Sequence, residues 1–326
     1  MRVQAAGVEA VPETKERIRA WVESQVFQDT IRAFGWTDDP DQALDERVRA
    51  LVAQSDEWDF RRRTAKVESM GGSGEATRWT SHDQLLSDQQ VTSANRAGAE
   101  LKLACASMPS RDQYRAILVL GGARLSCLLR TEWAGEILRA GVQTQDVVLL
   151  GSERPVAGSE RDATDTYALG APTEFDLFVA AGSAVFGYDP EAHSGRRHED
   201  AHPNLSWEVR EYPSAGPGRI LVVSAPSSDP SNRRANSADT YAFYISRHHL
   251  ARGEWLLLVT SAIYVPYQQL EAIRVITVPL GIHIETVGFP PEWRADLQGM
   301  QGPQHCLQEM RSFLQSSQRF LATFPG

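Results

Sequence analysis

Two arginines stand directly ahead of a run of small polar residues in "RRANSADT", the stretch that begins at Arg233. Guanidinium groups engage phosphate through paired hydrogen bonds. Positive charge doubled at the start of a helix is unfavourable unless an anion or a carboxylate joins it. Asn236 or Ser237 can cap a helix that begins near Ala238, and Asp239 suits its first turn. Those three residues therefore have a structural explanation without a ligand, whereas Arg233 and Arg234 point to one. Gly121 and Gly122 permit close backbone approach to an anion, with a tight turn as the plainer reading. Arg130 lies one to two turns farther on, facing either a crevice or solvent. In "TSAIYVPY" the hydroxyls of Thr260 and Ser261 can bind phosphate or ribose. Tyr264 and Tyr267, three apart, either stack on a base or pack as an amphipathic pair.

These residues need a frame. After "MPSRDQ" short apolar runs alternate with amphipathic stretches: "AILVLGG", "DVVLLGS", "RILVVSAP" and "EWLLLVTS" read as strands, each followed by a helical pattern. "RVITVPLGIHIETV" adds one or two strands. The alternation predicts the α/β class, a Rossmann-like parallel sheet flanked by helices. Ligands in such sheets collect beyond the carboxyl ends of the strands. That rule selects "GGARLS", "GSERP" with Ser152, "GAPTEF", the arginine segment and "TSAIYVPY".

Ahead of the sheet, Glu13 to Gln54 predicts two amphipathic helices and Asp83 to Ala106 a third, with the Gly/Ser-rich "ESMGGSGEATRW" connecting them. The polar stretch over 187–217 reads as an insertion near the sheet's edge, and an amphipathic helix closes the chain. The division is a helical N-terminal region over 1–110 and an α/β domain over 111–326.

A formal charge of −9 argues against a broad nucleic-acid or anionic-membrane surface, so any anion site is local. No run approaches the roughly 18 to 20 apolar residues that span a bilayer, and the N-terminus has no signal-peptide apolar core, which predicts a cytoplasmic protein. Cys105, Cys127 and Cys306 are widely spaced and read as core thiols. His193, His198, Asp200 and His202 match no closed zinc spacing, and no metal is predicted. Neither G-x-G-x-x-G nor G-x-S-x-G occurs at the expected places.

From about Arg115 to Pro291 the order of features resembles the YdcF-like family, which includes SanA and ElyC. That family has glycines after the first strand, an arginine in the next helix, an acidic residue opening a later helix, an S-x-N-T-x-E-N stretch and a strand ending T-S-x-x-H-x-x-R. Here Gly121 and Gly122, Arg130 and Glu174 take the first three places. Asn236, Ser237 and Asp239 stand for the family's Asn, Thr and Glu, while Arg234 and Thr240 replace its serine and final asparagine. Thr260 and Ser261 are kept, with Tyr264 in place of histidine and Tyr267 in place of arginine.

The resemblance implies a small-molecule enzyme acting on a nucleotide-like or phosphate-bearing metabolite by hydrolysis or group transfer. Arg130, Arg233 and Arg234 would hold the anion, and Glu174 or Asp239 would serve as general acid or base or accept a ribose hydroxyl. S-adenosylmethionine or a nucleotide is the cofactor it implies. The alternative is a non-catalytic sensor of such a ligand, with the N-terminal helices contacting a partner. A homodimer through those helices is compatible with either.

Overall fold

The computed structural model describes residues 4–69, 85–103, 107–156, 158–213, 218–297 and 301–325. Its centre is a seven-stranded sheet. The strands are β1 (Gln113–Leu120), β2 (Gln143–Leu150), β3 (Ser194–His198), β4 (Trp207–Tyr212), β5 (Arg219–Ser224), β6 (Trp255–Ser261) and β7 (His283–Phe289), in the spatial order β3-β4-β5-β2-β1-β6-β7. Pairings among β5, β2, β1, β6 and β7 are parallel, and β3 and β4 add an antiparallel edge. The four central runs are buried on both faces, which is why they are continuously apolar rather than alternating. β3 is exposed throughout, and the polar segment ahead of β5 supplies this edge.

Helices cover both faces. Between β1 and β2 runs α6 (Ser126–Arg139). Between β2 and β3 run α7 (Ser159–Thr164) and α8 (Glu174–Phe186), and α6 and α8 bury Trp133, Phe175 and Phe178 against one face of the sheet. On the other face α9 (Ser237–His248) packs Tyr241 and Tyr244 over Leu118, Leu221 and Leu258. After β6, α10 (Val265–Ala272) continues through a π-helical turn at Ile273–Thr277 into α11 (Val278–Leu280). The run "RVITVPL", rich in β-branched residues, is therefore helical, ended by Gly281 at φ +70°, and only one late strand forms.

A third layer joins the chain's two ends. The helices α1 (Ala10–Val22), α2 (Gln25–Ala33), α3 (Leu44–Gln54), α4 (Phe60–Ser69) and α5 (Asp88–Glu100) precede the sheet, and α12 (Pro303–Thr323) ends the chain. Met310, Phe313 and Phe320 of α12 share one core with Ile18, Phe27, Leu51 and Leu270. In packing, the C-terminal helix thus belongs with the N-terminal helices. The two helices expected before Gln54 are three, because Ser24 turns extended (ψ 137°) between α1 and α2. α5 starts where Ser87 and Gln90 form a capping box. The Gly/Ser-rich connection and Cys105 lie outside the described residues, apart from the end of α4. Cys127 and Cys306 are buried. Among the described residues no helix is long and apolar enough to cross a membrane.

Candidate functional site

Register brings the ends of three strands level: Leu120 pairs with Leu150, and Leu150 with Val223. The loops that follow β1, β2 and β5, together with the start of α9, enclose a crevice of about 600 Å³. Gly121, Gly122, Ser152, Glu174, Arg233, Arg234, Asn236 and Ser237 line it, all eight anticipated from the sequence.

Glu174 opens α8, whose cap is a reciprocal pair between Thr173 and Asp176. Its side chain is 7% exposed, and Ser152 Oγ donates to its Oε2. Burial pushes the Glu174 carboxyl up from the ordinary 4.5, with Arg154, the Ser152 bond and Arg130 opposing only in part. The glycine pair makes room for it: a Cβ on Gly121 would lie 2.8 Å from Glu174 Oε1 and 2.7 Å from the Leu150 carbonyl oxygen. The backbone N–H groups of Gly121, Gly122 and Ala123 meet no acceptor among the described residues.

Arg233 has the carboxylate that the sequence argument required. Its guanidinium pairs with both oxygens of Asp239 and donates from Nη2 to Ser228 Oγ at 2.8 Å. Asp239 also accepts from the Asn236 amide (2.8 Å) and the Ser228 amide (3.2 Å), while Asn236 Oδ1 caps Ala238 and Asp239. Burial opposes ionisation of Asp239, but these donors outweigh it and hold the carboxyl below the usual range. Arg234 is exposed, lines the same crevice, and has no ion-pair partner among the described residues.

Arg130 lies below the crevice rather than in it. At 4% exposure it donates from Nη1 to the carbonyls of Leu120 (2.9 Å) and Gly121 and reaches Ser261 Oγ at 3.4 Å. It therefore ties the end of β1 to the end of β6, where the strand order reverses and where open α/β sheets commonly take ligands. A Cβ on Gly122 would lie 3.0 Å from its Nη1. Tyr264 is 7% exposed in the helical core, its ring 5.4 Å from Arg130 Cζ, and Tyr267 meets it edge-on. Neither ring, nor Thr260 at 0% exposure, lines the crevice. The phosphate or ribose role expected of "TSAIYVPY" is thus not brought together with the other residues, because that segment turns toward the helical layer.

Arg154, which the sequence reading did not single out, also lines the crevice, and Glu160 holds it from outside. Arg154 pairs with Glu160 through two bonds of 2.6 and 2.8 Å, and Glu160 Oε1 also accepts the Arg124 amide at 2.6 Å. Burial works against the Glu160 carboxylate, but these donors keep its pKa low. Arg124 sits at φ +56°, unusual for a side chain with a Cβ, and Glu160 holds that turn. Arg154 was within the selected "GSERP", but nothing in its local pattern marks its partner.

The remaining histidines stay apart from this site. His202 caps a short turn, and His198 lies 3.5 Å from Asp200 on the exposed edge. Among the described residues no three metal-ligating side chains gather.

No family model matches the chain, and no solved structure matches it. It is 31% identical over 330 residues to uncharacterized protein Rv3785 of Mycobacterium tuberculosis, covering 97% of this chain and 91% of the relative. Uncharacterized protein Mb3814 of Mycobacterium bovis matches with the same identity and coverage. The chain belongs to the family of these mycobacterial proteins.

Proposed function

We propose that the protein is an enzyme acting on a nucleotide-like or phosphate-bearing small molecule, by hydrolysis or group transfer, in the crevice at the ends of β1, β2 and β5. One observation carries the reading: a buried carboxyl, Glu174, shares a crevice with a guanidinium, Arg234, that has no ion-pair partner among the described residues. Arg234 would fix the anionic group. A carboxyl raised toward neutrality can give its proton to a departing oxygen and, once ionised, take one from an attacking hydroxyl or water. Asp239 is less suited to that exchange, since Arg233 and two backbone amides occupy its oxygens. The resemblance to the YdcF-like family supports the same class of ligand.

The test is conversion of a mixture of small metabolites, with and without phosphate groups, followed by mass spectrometry. Wild type should convert at least one phosphate-bearing compound. Glu174→Gln should bind that compound and turn it over about 10²–10⁴ times more slowly. Equal conversion by both proteins, or conversion only of compounds without phosphate, overturns the reading.

A second reading, a non-catalytic sensor, draws support from the contact between Arg130 and Tyr264. It connects the crevice floor to the core that the N-terminal helices build. A sensor predicts ligand-dependent association with a partner and no product.

A further inference from the structure

The crevice mixes polar side chains with small apolar residues and glycines. Its described lining contains no aromatic ring, and Leu150 is its largest apolar residue. Three rings from the elements around it are engaged elsewhere. Phe175 is 2% exposed within the core between α6, α8 and the sheet, Tyr241 is fully buried with its hydroxyl on Gln268, and Tyr264 is packed in the helical layer. What the crevice offers instead is hydroxyl, amide and backbone groups around a carboxyl. Ser152, Glu174, Asn236, Ser237 and Thr240 line it together with Arg234 and with Gly121, Gly122 and Ala123, whose amides meet no acceptor among the described residues.

We infer that the ligand is a small phosphorylated polyol or sugar phosphate, recognised without a nucleobase. This rests on the phosphate-binding reading above and narrows it. Arg234 and the amides after β1 hold the phosphoryl group, a combination of a guanidinium fork with a concave row of N–H donors that suits three anionic oxygens. The Glu174 and Ser152 pair and the side chains at the start of α9 address the hydroxyls, where every donor and acceptor on a polyol can be met. A nucleobase has no such reception. Stacking on an aromatic side chain would raise affinity roughly five- to a hundredfold, and among the described residues no ring lines the crevice to provide it.

The experiment compares ribose 5-phosphate, AMP, adenosine, S-adenosylmethionine and inorganic phosphate by isothermal titration against the full chain and its Arg234→Ala variant. Ribose 5-phosphate and AMP should bind within about threefold of each other, because the base adds nothing. Adenosine and S-adenosylmethionine should not bind. Inorganic phosphate should bind at least about tenfold more weakly than ribose 5-phosphate, since it lacks the hydroxyls, and Arg234→Ala should lower affinity for both phosphate esters by about tenfold or more. AMP binding tenfold or more tightly than ribose 5-phosphate overturns the inference and leaves the phosphate reading standing, as does inorganic phosphate binding as tightly as ribose 5-phosphate. Adenosine or S-adenosylmethionine binding while the phosphate esters do not overturns both. So does the absence of binding by every phosphate-bearing probe.

Discussion

Arg233 holds Asp239. The guanidinium reaches both oxygens of a carboxylate that is itself the third residue of α9 and the partner of the Asn236 cap. Its neighbour Arg234, one residue on and lining the same crevice, has no such partner among the described residues. The two adjacent arginines therefore differ: one fixes the helix start, and the other has no carboxylate partner among the described residues.

That division is measurable. Arg233→Ala should lower stability by about 1 kcal/mol, a modest value for a pair that is partly exposed. Arg234→Ala should change stability by less than about 0.5 kcal/mol while weakening phosphate-ester binding tenfold or more. Denaturant titration and calorimetry on the two variants check this. The reverse pattern contradicts the assignment.

Glu174 sets a pH dependence whose sign is fixed. Its folded-state pKa lies above the ordinary 4.5. Stability associated with the neutral carboxyl is thus fully present below the unfolded value and lost as pH rises through the folded one. Glu174→Gln does not titrate. Its melting temperature should gain on that of wild type as pH rises above the ordinary carboxyl value of 4.5. A difference that does not vary with pH is incompatible with a buried, desolvated carboxyl.

Gly121 cannot accept a side chain without moving something rigid. The Leu150 carbonyl, 2.7 Å from the added Cβ, belongs to a central strand, and Glu174 Oε1 lies 2.8 Å away. Gly121→Ala should cost about 1–3 kcal/mol, read as a lower urea midpoint, and should perturb the Glu174 titration as well. A variant as stable as wild type with an unchanged pH profile would count against this packing.

Glu160 occupies two donors that an incoming phosphoryl group could use, the Arg154 guanidinium and the Arg124 amide. Glu160→Gln frees the Arg154 charge beside the crevice, so affinity for ribose 5-phosphate should rise, by about three- to tenfold. Unchanged or weaker binding would mean that Arg154 does not face the ligand.

The strands were legible because parallel strands buried on both faces leave unbroken apolar runs, and their order located the loops that form the crevice. Less legible was anything decided by a partner distant in sequence. Arg154 depends on Glu160 and Arg130 on the carbonyls at the end of β1, and neither relation has a local pattern. "RVITV" reads as strand from its β-branched residues, yet it is helix up to Gly281, with Val275 and Ile276 packed on the sheet-side core and Val278 on the helical layer. The tyrosines at 264 and 267 carry a spacing that fits packing or stacking equally, and burial in the helical core decides for packing. From sequence Arg233 points to a ligand, although Asp239, six residues on, is in the same quoted stretch. Only the turn between them brings the charges together.

The most direct measurement is a crystal structure of the full chain with ribose 5-phosphate. The phosphoryl oxygens are expected within about 3 Å of the Arg234 guanidinium and of an amide among Gly121 to Ala123, with a sugar hydroxyl on Glu174 or Ser152. Density for the ligand in any other part of the molecule, with this crevice empty, contradicts the account.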